Sequence, residues 1–157
     1  MCDLAIELAD PLSDELGALV ARHLAYARAH TPPENICALD TAGLDTPDIT
    51  LWAVREQDGL IAMGALRELD AAHGELKSMH TLEEARGRGL GELMARHLLA
   101  QARARGYERV SLETGSQAGF AAARALYVKL GFEPCGPFAD YTEKPGSVFY
   151  TLDLERG

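Results

Sequence analysis

Apolar positions recur along the chain with two different periods, one typical of strands and one typical of helices. Residues 4–8 alternate weakly and predict a first strand. Apolar side chains then recur every three or four residues as far as His30, which predicts an amphipathic helix. Asp10 followed by Pro11 favours a helix start at this point, with the aspartate as N-cap and the proline as the first helical residue. The tripeptide Thr31-Pro32-Pro33 predicts the end of that helix.

The segment over residues 34–47 shows no clear period, apart from a short helix expected over 36–40. Strand-like runs over 49–55 and 60–69 then flank the dipeptide Asp58-Gly59. This dipeptide is typical of a tight turn with positive φ angles, so the two runs predict a β-hairpin.

Strands and helices alternate in the second half of the chain. The pattern predicts a strand over 75–81, a helix from about Leu90, a strand over 109–113, a helix over 117–130, and strands over 132–135 and 148–154. Gly106 and Gly131 each follow a helix, at the position where a left-handed residue commonly ends one. Because parallel strands need crossover helices between them, the order predicts a three-layer α/β fold with a partly parallel sheet.

A glycine- and arginine-rich segment joins the strand over 75–81 to the helix that follows it. Glycine has no Cβ, so its main-chain amides can approach a ligand closely. The start of the helix adds unpaired N–H groups and the positive end of the helix dipole, and two arginines add fixed charge. The segment therefore predicts an anion site suited to pyrophosphate. Its key residues are Arg86, Gly87, Arg88, Gly89 and Gly91.

Two common phosphate-binding motifs do not fit this segment. A Walker loop ends in Gly-Lys-Ser/Thr, whereas this segment ends in Gly-Leu-Gly-Glu. A dinucleotide fingerprint has the spacing GxGxxG and opens the first βαβ unit, whereas the glycines here alternate and lie past the middle of the chain. A glycine-rich turn that binds no ligand is the remaining alternative.

Two motifs in the correct order identify the chain as a member of the GNAT acetyltransferase superfamily. Arg86-x-x-Gly89-x-Gly91 resembles the coenzyme A pyrophosphate loop of that superfamily, and Ala123-x-x-Leu126-Tyr127-x-x-x-Gly131-Phe132 resembles its second signature. The resemblance extends over about residues 50–154. Two further segments, Leu112-Glu113-Thr114-Gly115 and residues 135–141, resemble a bacterial subset of small-molecule acetyltransferases whose substrates are largely undetermined.

The resemblance implies a mixed, mostly antiparallel sheet of six to seven strands between helices, with one parallel pair that splays apart, in a single domain over residues 1–157. It implies acetyl-CoA as cofactor, bound by the main chain of the glycine-rich segment and by free amides of the splayed strand. The residues implied to contact the cofactor are Met79, His80, Thr81, Arg86, Gly87, Arg88, Gly89, Leu90, Gly91 and Glu92.

The resemblance also assigns two catalytic candidates. Tyr127 matches the tyrosine that protonates the departing thiolate in many relatives, and a phenol can donate a proton to that sulfur. The alternative is a core aromatic residue whose hydroxyl bonds to a carbonyl. Glu75 lies eleven residues before Arg86, where some relatives carry a catalytic glutamate. The alternatives for Glu75 are an exposed charge or an ion pair with Lys77.

Other groups compete with Glu75 as the base, namely Glu113, His80 and an ordered water. Strand alternation places Glu75, Lys77 and Met79 on one face and Leu76, Ser78 and His80 on the other. One position departs from the superfamily: Phe120 stands where many relatives carry an asparagine that contacts the pantetheine or a water. Ser116 and Gln117 are candidates to replace that contact.

Composition narrows the classes of partner. The 157 residues are 47% hydrophobic, which is enough for the core of one domain, and the net charge of −9 argues against nucleic acid while it suits a cationic amine. The sequence has no apolar run long enough to predict a membrane span, and its first residues carry acids rather than the charge of a signal peptide. Cys2, Cys37 and Cys135 lack metal-ligand spacing, so we expect a reduced, cytoplasmic setting and no metal.

The leading hypothesis is an acetyl-CoA-dependent N-acetyltransferase that moves the acetyl group directly to a small-molecule amine in a ternary complex. One alternative is a module that senses acyl-CoA without turnover, and another is modification of a protein N-terminus or lysine. A homodimer through the C-terminal strand is common among relatives, and the resemblance suggests one here.

Overall fold

The computed structural model describes residues 4–33, 36–57 and 59–154. The strands in this part are β1 (Leu4–Leu8), β2 (Ile49–Glu56), β3 (Gly59–Asp70), β4 (His73–Thr81), β5 (Arg109–Gly115), β6 (Glu133–Cys135) and β7 (Ser147–Asp153). The α-helices are α1 (Asp14–His30), α2 (Thr41–Leu44), α3 (Leu90–Ala104) and α4 (Ala121–Lys129), with short 3-10 turns at Glu83–Ala85 and Ala118–Phe120.

The seven strands form one sheet in the order β1-β2-β3-β4-β5-β7-β6. Only β4 and β5 are parallel among these neighbours, and all the other pairs are antiparallel. Helix α1 packs its apolar stripe, which includes Leu16 and Val20, on one face of the sheet. Helices α3 and α4 cover the other face, where Leu98 and Tyr127 belong to the larger core. The expected α/β fold with a mixed, mostly antiparallel sheet is confirmed.

Helix α1 begins three residues later than predicted. Its N-cap is Ser13, whose Oγ accepts a hydrogen bond from the Leu16 N–H at 3.3 Å. Asp10 instead forms a turn before the helix, since its Oδ1 accepts from the Leu12 N–H at 2.9 Å. A serine two residues beyond the proline therefore takes the capping role that the sequence pattern assigned to Asp10.

The second helix also lies outside its predicted range. It covers Thr41–Leu44 rather than residues 36–40, because Asp40 is its N-cap and accepts from the Gly43 N–H at 2.8 Å. The predicted hairpin strands pair as expected, but Asp58 lies outside the described residues. The predicted helix over 117–130 is divided into a 3-10 turn and α4, and Gly131 follows it with a φ of +99°.

Strands β4 and β5 separate halfway along their length. They pair from His73–Arg109 to Leu76–Leu112, and no pair follows in the described residues. Both strands nevertheless continue, β4 to Thr81 and β5 to Gly115. The sheet therefore opens between the two strands on the side where the glycine-rich segment begins.

An irregularity in β4 overturns the predicted alternation of its side chains. Ser78 has a φ of +54°, and the pairing with β3 jumps from Ala65–Lys77 to Met63–His80. This bulge reverses the two faces. Met79 consequently packs with Leu76 in the core beneath α3, rather than beside Glu75, and His80 faces α1.

Candidate active site

The glycine-rich segment adopts the conformation that an anion-binding turn requires. Gly87 and Gly89 have φ angles of +82° and +78°, and Gly89 is the N-cap of α3. A Cβ at either glycine would meet nothing within 4 Å, so backbone conformation rather than crowding favours glycine at both positions. The N–H groups at the start of α3 are therefore exposed beside open space, where an anionic ligand can reach them.

A cavity of about 330 Å³ lies in front of this segment. Eight of the ten predicted cofactor-contacting residues line it, namely Met79, His80, Thr81, Arg86, Gly87, Gly89, Leu90 and Gly91. The side chains of the other two point elsewhere. Arg88 forms an ion pair with Glu56, and Glu92 forms ion pairs with Arg96 and Lys129.

The Arg86 guanidinium lies against α1 rather than over the helix start. Its centre is 4.6 Å from the centroid of the Tyr26 ring, and its Nε donates to the Thr81 carbonyl at 3.2 Å. Tyr26 in turn donates its hydroxyl to the Gly119 carbonyl at 2.5 Å. Helix α1 and the turn before α4 thus form one wall of this first cavity, with Arg86 stacked on it.

A second cavity of about 130 Å³ adjoins the first. It lies between α1, residues 36–38 and the separated ends of β4 and β5, and its charged lining residues are Glu75, Lys77 and Glu113. Five of the described residues line both cavities, namely His23, Met79, Phe120, Ala123 and Tyr127. The two cavities therefore meet at the opening of the sheet.

Tyr127 lies at this junction, as the prediction requires, and its side chain is buried. Its ring packs edge-on against Phe132, with 5.7 Å between the centroids. Burial raises the pKa of the Tyr127 phenol, and the nearby Glu113 carboxylate raises it further. The phenol therefore stays protonated at neutral pH, which is the state that a proton donor needs.

Glu75 is fully buried and heavily contacted. Its Oε2 accepts a hydrogen bond from the Tyr141 hydroxyl at 2.5 Å and from the Lys77 Nζ at 3.4 Å. Its Oε1 has no hydrogen-bond partner among the residues that the structure describes, and the Arg67 guanidinium lies 3.9 Å away. The alternative of an ion pair with Lys77 is thus present, while Oε1 is buried and lies within ion-pair distance of Arg67.

Glu113 lies just past the last pair between β4 and β5, and it lines the second cavity. Burial raises the pKa of its carboxyl group. Unlike Glu75, its carboxylate forms no ion pair within 4 Å in the described part of the chain. Both carboxylates that the sequence nominated therefore reach the same cavity.

Sequence reasoning missed His23, the partner of His80. The Nδ1 atoms of the two rings lie 3.2 Å apart. Burial lowers the pKa of both to about 4, aided by the charge of Lys77 at His23, and by His23, Arg86 and Arg22 at His80. The signal in the sequence was a histidine within the apolar stripe of the first helix. A histidine in that position more often has a structural role than a catalytic one.

Neither of the two substitutes proposed for the missing asparagine lines a cavity. Phe120 fills the position itself and packs edge-on against Tyr26, with 5.8 Å between the ring centroids. The Ser116 hydroxyl donates to the Pro145 carbonyl and lines neither cavity. The Gln117 Oε1 is buried without a hydrogen-bond partner in the described residues, close to Gly115 at the end of β5.

The profile of the Acetyltransferase (GNAT) family matches residues 19–132, a span that contains the glycine-rich segment and Tyr127. The chain belongs to the GNAT acetyltransferase family. It is 46% identical to the uncharacterised N-acetyltransferase YsnE of Bacillus subtilis, over 95% of this chain and 99% of that one. It is 32% identical to the IAA acetyltransferase of Azospirillum brasilense, over 98% of this chain and all of that one.

Solved structures agree with this assignment. A structure from Klebsiella pneumoniae, described as an acyl-CoA N-acyltransferase, superposes with a TM-score of 0.79 at 29% identity and covers 97% of this chain and 98% of its own. As a GNAT acetyltransferase the protein is an acyltransferase, and acetyl-CoA is its co-substrate. No helix in the described part of the chain is long and apolar enough to cross a membrane.

The buried His23 predicts a loss of stability in acid. Its pKa falls from about 6.5 to about 4 on folding, so the unfolded chain binds the proton first and the folded state loses stability as pH falls below about 6.5. Between pH 7 and pH 5 this group costs about 2 kcal/mol of unfolding free energy. Urea titrations of the wild type and His23→Asn should show a pH-dependent difference of that size. An equal pH dependence in both would contradict the prediction.

Proposed function

We propose that this GNAT acetyltransferase transfers the acetyl group of acetyl-CoA directly to the amine of a small molecule, in a ternary complex. The observation that carries the proposal is the meeting of two cavities at the opening between β4 and β5. The larger cavity faces the phosphate-binding turn and suits the cofactor. The smaller cavity, with its buried carboxylates, suits an amine.

Direct transfer is favoured by the residues that both cavities share. The shared wall consists of a histidine, a methionine, a phenylalanine, an alanine and a tyrosine, with no thiol and no aliphatic hydroxyl. Cys37 lines only the smaller cavity, and burial raises the pKa of its thiol, which disfavours the thiolate that an acyl-enzyme would need. The acceptor amine is therefore the nucleophile that reaches the thioester.

Two proton-transfer roles follow from the geometry. Tyr127 is the proton donor for the leaving sulfur, since its hydroxyl stays protonated at the junction. A carboxylate of the smaller cavity accepts a proton from the arriving ammonium. We assign this role to Glu75, whose Oε1 has no hydrogen-bond partner among the described residues, and retain Glu113 as the alternative.

The acceptor is expected to be small and cationic. The smaller cavity holds about 130 Å³ and residues 36–38 line it, which favours a small acceptor over a polypeptide. Two acidic side chains and one lysine line it, and that lysine is already paired with Glu75. An amine library should be screened by thiol release, and IAA, for which the Azospirillum relative is named, should be assayed separately as a non-cationic acceptor.

The same experiments distinguish the proposed function from two other functions. An acyl-CoA sensor would bind acetyl-CoA but acetylate no amine, and Tyr127→Phe with Glu75→Gln would then change nothing that is measured. A protein acetyltransferase would acetylate peptides rather than free amines. Cytoplasmic location and a homodimer stay predictions, and light scattering after size exclusion would measure the second.

Cofactor binding should depend on the glycine-rich segment. Arg86→Glu combined with Gly89→Asp places two negative charges where a pyrophosphate is expected, so the Kd for acetyl-CoA should rise at least about tenfold. Isothermal titration calorimetry measures this change. Arg28→Glu, an exposed charge reversal on α1, is the control and should leave the Kd unchanged. Equal binding by the double variant would count against the proposed site.

Removing the Tyr127 hydroxyl should slow the chemical step. Tyr127→Phe keeps the packing against Phe132 but removes the proton donor, so kcat should fall about 100-fold while the Kd for acetyl-CoA stays within about twofold. Tyr107→Phe is the matched control, because that hydroxyl bonds to Glu68 and lines neither cavity. A full rate in Tyr127→Phe would remove Tyr127 from the mechanism.

Paired amide substitutions should identify the carboxylate base. Glu75→Gln should lower kcat/KM about 100-fold, whereas Glu113→Gln should lower it by less than about tenfold. Steady-state rates over pH 6 to 9 measure both, and thermal unfolding checks that Glu75→Gln remains folded despite its contacts with Lys77 and Tyr141. The opposite order of effects would transfer the role to Glu113.

A further inference from the structure

The junction of the two cavities restricts which groups can touch the reacting atoms. The acceptor nitrogen and the acetyl group must meet where the cavities join, so a group that takes a proton during the transfer must lie there as well. Of the five residues that line both cavities, only His23 and Tyr127 can exchange a proton. Glu75 and Glu113 line only the smaller cavity.

The ring of His23 is held on one side and open on the other. Its Nδ1 lies 3.2 Å from the Nδ1 of His80, a distance at which one ring donates and the other accepts. Its Nε2 has no hydrogen-bond partner within residues 4–33, 36–57 and 59–154. If His23 is the donor, its Nε2 carries a lone pair on a residue that lines both cavities.

We propose that His23 is a catalytic base, whose Nε2 takes the proton that the acceptor nitrogen loses as the amide forms, and that His80 is the positioning residue that accepts its Nδ1–H. The inference rests on the proposed function and adds a second proton acceptor to it. A protonated amine must lose two protons to become an amide. The carboxylate takes the first before the attack, and His23 takes the second.

Residues at the junction exchange the protons that move while the amide bond forms. The nitrogen lone pair forms the C–N bond, and the C–S bond breaks with its electron pair going to sulfur. Tyr127 gives its hydroxyl proton to that sulfur, while the nitrogen gives a proton to the Nε2 of His23. The resulting imidazolium and phenolate are neutralised when a proton passes from His23 to Tyr127 through water, which restores both groups. The carboxylate releases the first proton to solvent, so each turnover frees one proton.

The surroundings of His23 keep its ring neutral before the reaction. Burial and the charge of Lys77 lower its pKa to about 4, and the same lowering at His80 prevents that ring from competing for a proton. The cationic groups near the pair are Lys77, Arg86 and Arg22, and the acidic groups of the smaller cavity are Glu75 and Glu113. At neutral pH the ring is therefore neutral, and in its Nδ1–H tautomer the lone pair lies on Nε2. A nitrogen that has begun to bond to carbon is acidic enough for a weak base.

The test distinguishes a role of His23 as a base from its structural contact with His80. In His23→Asn the side-chain amide can still donate to the His80 Nδ1, but no atom replaces Nε2. We expect kcat/KM to fall at least about 100-fold, with the Kd for acetyl-CoA within about twofold of the wild type. In His23→Gly, added imidazole should restore part of the rate. His97→Asn is the control, because His97 packs on Trp52 and lines neither cavity.

A second measurement needs no acceptor. Long-range 15N–1H spectra of the wild type at pH 7 report the tautomer of each histidine, and His23 should carry its proton on Nδ1. Any of three results would overturn the inference: a proton on Nε2, a rate in His23→Asn within about threefold of the wild type, or no rescue by imidazole. If the wild type still turns over, these results leave the proposed function intact. A wild type that binds acetyl-CoA but acetylates no amine would overturn both.

Discussion

The separation of β4 and β5 is the constraint on which the rest of the site depends. Two parallel strands that stayed paired to their ends would satisfy each other's main-chain groups and seal the sheet. Here the pairing stops at Leu76 and Leu112, although both strands continue. The opening leaves backbone groups of the described strands without a sheet partner, and the two cavities meet beside it. It is held open because α1 and α4 both contribute side chains to its walls.

Neighbouring cationic and hydrogen-bonding groups offset the cost of placing the Glu75 carboxyl group in the smaller cavity. Glu75 is fully buried, yet Lys77, Tyr141 and Arg67 surround its carboxylate. A buried charge without such partners would be costly, so these contacts allow the carboxylate to persist in the core. Glu113 lacks comparable ion pairs in the described residues, and burial raises its pKa instead. The cavity thus holds one acid with three charged or hydrogen-bonding neighbours and one acid whose pKa is raised by burial.

Most of the fold and the backbone conformation of the glycine-rich segment could be predicted from the sequence. Helical and strand periods gave the element order, and Gly87 and Gly89 adopt the conformation that their residue type indicated. The errors arose where local geometry depends on a distant partner. Ser13 rather than Asp10 caps α1, and the bulge at Ser78 reversed the expected faces of Met79 and His80. His23 and Tyr141 come from separate elements, so no local pattern could place them beside His80 and Glu75.

The bulge at Ser78 makes the length of β4 as important as its composition. Because side chains alternate along a strand, one extra residue changes the parity of everything beyond it. Met79 reaches the core beneath α3, where Gly64 leaves room for its sulfur, only because of that shift. Regular alternation of the same residues, without the bulge, would place Met79 on the same face as Glu75 and His80 on the face that packs beneath α3. The extra residue in β4 therefore decides which of its side chains reach the core.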